Sequence, residues 1–81
     1  MTTHVLTAAR AEALFTSSLS ASSRPGRSEV EAAICHAVRA HGGTRGCAAH
    51  VATEYGDYPE TAPARMRWAL GVVHMVYPGA D

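Results

Sequence analysis

The pair Gly42-Gly43 separates two stretches of helical rhythm, and it constrains the fold more than any other feature of the chain. Before it, Val30, Ala33, Ile34, Ala37, Val38 and His41 recur at intervals of three and four, the spacing of one helix face. After it, Cys47, Ala48, Val51, Ala52 and Tyr55 repeat that spacing. Gly42 stands where a left-handed residue commonly closes a helix. Two helices joined at a corner follow, and no strand is expected beside them.

Helix boundaries elsewhere come from caps and breakers. Ser28-Glu29-Val30-Glu31 fits a capping box, in which the Ser28 hydroxyl and the Glu31 carboxylate satisfy each other's free amides. Thr7 is a candidate cap for a short first helix ending near Phe15, with Leu14 and Phe15 inward and residues 1–6 frayed. Residues 16–28, TSSLSASSRPGRS, read as a loop with Leu19 as its anchor and its serines solvated. Thr44 is expected to cap the third helix and Gly56 to stop it. Pro59 or Thr61 marks the approach to a fourth, Pro63 falls in its first turn, and Pro78-Gly79 closes it.

The fold class that emerges is all-α: a small four-helix domain spanning residues 1–81, with its helical core in residues 28–77. Apolar residues make up 47% of the chain and many are alanines, so the core must be closely packed helices. A single core in a chain this short seldom supplies more than a few kcal/mol, and oligomerisation is a common remedy. On the fourth helix Met66, Ala69, Leu70, Val73 and Tyr77 form one apolar stripe; Trp68, Val72 and Met75 or Val76 form a second. A helix apolar nearly all round is usually buried. Either the first helix covers the second stripe, or Trp68, Val72 and Met75 form a homodimer seam.

Seven arginines, no lysine and seven acids give zero net charge. That balance argues against strong non-specific nucleic-acid binding but leaves room for a locally basic face. Cys35 and Cys47 make no disulfide framework, MTTHVLTAAR lacks the apolar run of a signal peptide, and no segment approaches the ~20 apolar residues of a membrane span. A cytoplasmic protein with free thiols and no membrane partner is the expectation.

The corner itself, HGGTRGCAAH, gathers residues that suggest chemistry. The glycines precede a helix start, and a helix N-terminus attracts anions, but a P-loop needs a lysine and a preceding strand. Cys35, His36, His41, Cys47 and His50 are zinc-type ligands, and Cys47 and His50, three apart, are weak metal candidates. Their spacing matches no common zinc module, so no metal and no cofactor are expected. Cys47 with His50 also lacks the orienting third group and the pocket of a catalytic site, so no catalytic residues and no enzyme are expected.

The stretch ICHAVRAHGGTRGCAA, residues 34–49, resembles the lead-in of Fis-type helix-turn-helix domains. His41-Gly42-Gly43-Thr44-Arg45 and Ala48-Ala49 occupy the places of that family's HGGNR-like helix end and alanine pair. The resemblance implies a helix-turn-helix-like three-helix unit. The helix from Thr44 would be the supporting helix, and the one after Gly56 would be a recognition helix of the kind that lies in the major groove. The chain departs from the pattern after Ala49, running on as HVATEYGDYPET with Asp57 and Glu60 where the family turns tightly. Arg45 and, more loosely, Arg65 and Arg67 stand for the family's basic residues, with Thr61 as a phosphate contact. Through HGGTRGCAA, YGDYPETA and RMRWA the whole chain is also similar to a group of small uncharacterised actinobacterial proteins, which supplies no mechanism.

Two functions therefore compete. The first is a DNA-binding or regulatory protein acting through Arg45, Thr61, Arg65 and Arg67. The second is a protein-interaction adaptor or homodimeric module acting through Trp68, Val72 and Met75, without nucleic acid. Arginines gathered on one open face would favour the first; an exposed apolar patch would favour the second.

Overall fold

A computed structural model describes residues 2–79, and side chains from Val5 onward. Four helices account for most of them: α1 (Thr2–Thr16), α2 (Arg27–Ala40), α3 (Thr44–Asp57) and α4 (Ala62–Val76). Among the described residues there is no strand, as the helical spacing requires. The bundle measures 32 × 25 × 23 Å.

α1 is the centre of the molecule and packs against each of the other three helices. Ala11, Leu14 and Phe15 meet Val30, Val51, Ala69, Val73 and Tyr77 in the main core. Ala13 faces the other way, into a smaller cluster with Ala37 and Cys47. The small side chains at 11, 13 and 37 let the helix axes approach closely, which is the packing that an alanine-rich chain can supply.

This differs from the expected short first helix. The residues expected to fray are helical from Thr2, and Thr7 lies buried inside the helix instead of capping it. Threonine is a weak helix former, so nothing local marks this start; packing on three sides overrides propensity.

The start of α2 also moves. Gly26 is the N-cap, and its amide donates to the Glu29 carboxylate at 3.1 Å. Glu31, expected to close the box with Ser28, instead accepts from Arg27 at 3.2 Å, one turn apart on the exposed face.

The α2–α3 corner is built on three glycines. Gly42 (φ 74°) and Gly43 (φ 107°) take the left-handed region. The Gly43 amide donates to the Val38 carbonyl at 2.7 Å and the Gly42 amide to the Arg39 carbonyl at 3.4 Å, the paired bonds of a Schellman closure. Gly43, not Thr44, is the N-cap of α3. Gly46 serves a different need: a Cβ there would lie 1.5 Å from the His41 carbonyl oxygen. α3 then passes through Gly56, expected to stop it, and ends at Asp57. Cys47 and Val51 are buried, while Ala52 and Tyr55, expected inward, are exposed; the Tyr55 ring still stacks on Phe15 at 6.1 Å.

Residues 58–61 turn the chain into α4, whose N-cap is Thr61 and whose first turn holds Pro63. The first stripe of α4 faces the core, with Ala69, Val73 and Tyr77 buried and Met66 and Leu70 packed at its edge. Tyr77 is clamped between two guanidinium groups, Arg10 at 3.7 Å and Arg27 at 4.8 Å from the ring centre. One aromatic ring thus joins α1, α2 and the end of α4 through cation–π contacts.

Candidate functional site

The second stripe of α4 is only partly covered within the chain: Trp68, Val72 and Val76 are half-buried and pack at the edge of the core, and Met75 is exposed. The serine-rich segment after α1 folds beside it. Leu19 anchors that segment to the core, and the Trp68 indole donates to the Ser23 carbonyl at 3.4 Å. Ser20 makes the local turn: its side-chain oxygen accepts from the Ser22 amide at 3.2 Å, and its carbonyl accepts from the Ser23 hydroxyl at 2.7 Å.

Between this segment and α4 lies an open groove of about 640 Å³. Residues 21–25 form one wall. Arg67, Trp68, Gly71, Val72, Met75 and Val76 form the other. Trp68 and Val72 are half-buried, and Met75 is 81% exposed. The volume lies in the range of ligand sites, and the lining is mostly apolar with a few polar groups, which is the composition of a binding surface. The structure thus brings Trp68, Val72 and Met75 together, and adds a wall that no helical periodicity could announce.

The arginines expected to act together do not share one environment. Arg65 turns into the protein. Its guanidinium donates to the carbonyls of Leu19 (2.7 Å), Phe15 and Ser17 (both 3.0 Å) and Leu14 (3.4 Å), and it stacks 4.5 Å over the Trp68 ring. Leu14 and Phe15 lie in the last turn of α1, whose carbonyls have no partner within the helix, and Ser17 and Leu19 follow it directly. Burial lowers the Arg65 pKa, yet a guanidinium stays charged at any ordinary pH. Arg65 therefore serves as a side-chain cap for α1 and a prop for Trp68. Only the stacking had a sequence signal: Arg65 stands three residues before Trp68 on the same helix. Arg67 is exposed on the groove rim. Arg45 is exposed in the first turn of α3. Thr61 is exposed, and its side chain makes no capping hydrogen bond.

Cys47 and His50 part company. The Cys47 thiol is buried, accepting from the Thr16 hydroxyl at 3.8 Å and facing the Ala37 carbonyl at 3.7 Å. His50 lies against the His41 ring at 4.8 Å, with its Nε2 4.0 Å from Glu54. Among the described residues no group of three or more His, Cys, Asp or Glu side chains could hold a metal ion. Cys35 is exposed on α2.

Fold and groove together define a class: a small all-α four-helix domain with an open, mostly apolar surface groove on its last helix. No protein-family model matches the chain, and no match was found among curated proteins or solved structures. Among the described residues no helix is long and apolar enough to cross a membrane.

Proposed function

We propose that the chain is a protein-interaction module, an adaptor or regulator, whose working surface is the groove between α4 and residues 21–25. The observation that carries this reading is the groove itself: half-buried Trp68 and Val72 and the exposed Met75 line one open groove beside residues 21–25. An apolar groove left open in a chain with little core to spare is consistent with a partner that covers it. Two free thiols are in keeping with a reducing, cytoplasmic setting.

The DNA-binding reading draws less support. A recognition helix presents donors from its first turns to base edges. α4 is anchored in the core from Ala62 onward, and its Arg65 is committed to four carbonyls of its own chain. Arg45, Thr61 and Arg67 remain exposed on different elements or turns, but no additional observation links them to nucleic acid.

A photoreactive amino acid in place of Met75, activated in extract of the native cell, separates the readings. Discrete protein adducts that survive nuclease and disappear when Gly71→Leu fills the groove are the expected outcome. Capture that nuclease abolishes would reject the module in favour of nucleic acid.

A further inference from the structure

We infer that the groove takes an acidic amphipathic helix from a partner protein, with its apolar side chains over Gly71 and its carboxylates against Arg24 and Arg67. This rests on the docking reading above and names the chemistry of the partner.

Charge is the first support. The groove lining contains two ionised side chains, both arginines, and no carboxylate. The chain as a whole is neutral, so a one-signed rim does not simply follow from composition. Arg10 and Arg27 lie against Tyr77 and Arg65 is bonded to carbonyls, whereas Arg24 and Arg67 are exposed and bonded to no other described residue. A carboxylate on either side of an incoming apolar stripe would give each its missing partner.

Shape is the second. From Trp68 to Met75 the α4 wall runs two turns, roughly 10 Å at 1.5 Å per residue. That matches the reach of anchors at i, i+3, i+4 and i+7 on a docked helix. Gly71 lies midway. Glycine is a poor helix former, and a Cβ at 71 would meet nothing within 4 Å, so packing within the fold does not require its absence. The missing side chain instead deepens the groove. Residues that weaken local structure without a packing reason are characteristic of functional surfaces.

Other occupants fit less well. Nucleic acid would satisfy the two arginines but gain nothing from Trp68, Val72, Met75 and Val76. A second copy docked groove to groove on a two-fold axis would bring the same arginines toward one another.

Trp68 is the chain's single tryptophan and lines the groove, so its fluorescence reports occupancy directly. The intact protein is titrated with two synthetic amphipathic helical peptides that carry one leucine stripe, flanked by glutamates in one and by lysines in the other. The glutamate peptide should shift the emission saturably and bind at least ~10-fold more tightly than the lysine peptide at low salt, the gap narrowing as salt screens it. The R24E/R67E double variant should reverse that order. Gly71→Leu should weaken both peptides at least ~10-fold while circular dichroism shows the same helical fold. Equal binding of both peptides, lost in Gly71→Leu, would overturn the acidic partner and leave the docking groove standing. No binding of either peptide at millimolar concentration would overturn both. A dimer in sedimentation that Gly71→Leu dissolves would make a second copy the occupant, and stronger displacement by a DNA duplex than by the glutamate peptide would make it nucleic acid; either result overturns the inference.

Discussion

Arg65 joins parts of the chain that share no sequence neighbourhood. It is partly buried and donates to carbonyls 46 to 51 positions away, so its loss frees the end of α1 and the groove wall at once. Hydrogen bonds from charged groups contribute about 1.5–3 kcal/mol each at most, and here they act as a set. Arg65→Ala should therefore lower unfolding stability by about 2–3 kcal/mol in urea melts. Lysine at 65 should recover less than half, because an ammonium cannot fork among several acceptors. Gly46 is as demanding for the opposite reason. Gly46→Ala forces a Cβ against the His41 carbonyl and should cost about 3 kcal/mol, the upper range for overpacking. Gly56→Ala, with nothing near its Cβ, should leave the melt unchanged or raise it.

At the scale of elements, α2, α3 and α4 were legible because their core faces repeat at 3.6 residues. Val30 and Ala37, Cys47 and Val51, and Ala69, Val73 and Tyr77 are buried where that period puts them. The caps were less legible. Two acids, Glu29 and Glu31, stand beside Ser28, and the pattern does not say which of them caps. The structure assigns the role to Glu29, so Glu29→Ala should cost about 0.5–1 kcal/mol while Ser28→Ala is nearly neutral by the same melts. The groove could be half read. Its α4 stripe follows from periodicity, but its other wall depends on the Trp68–Ser23 bond across 45 positions, which no local pattern encodes. The contacts of Arg65 are of the same kind: its acceptors are backbone atoms 46 to 51 positions away. Within α4, Gly71→Ala should raise stability by about 0.5–1 kcal/mol, since the alanine gains helix propensity and touches nothing.

Considered whole, the molecule has one helix at its centre and three around it, so it should open as a unit. The two thiols offer a direct measurement. Cys35 is exposed and should react with a thiol reagent at once. Cys47 is buried between α1, α2 and α3 and should react only as fast as the bundle opens globally, with amides of α1 exchanging at the same limit. The central helix also precedes the three helices that cover it, so it is synthesised before them. Leu14 and Phe15 leave the ribosome long before Val73 and Tyr77, their core partners, have been made. Until α4 emerges, α2 and α3 can cover only part of the apolar surface of α1, and the part that Ala69, Val73 and Tyr77 will cover stays open. A chain cut short before α4 would keep that part of α1 open for good, and it should be degraded faster than the intact chain in a pulse-chase measurement.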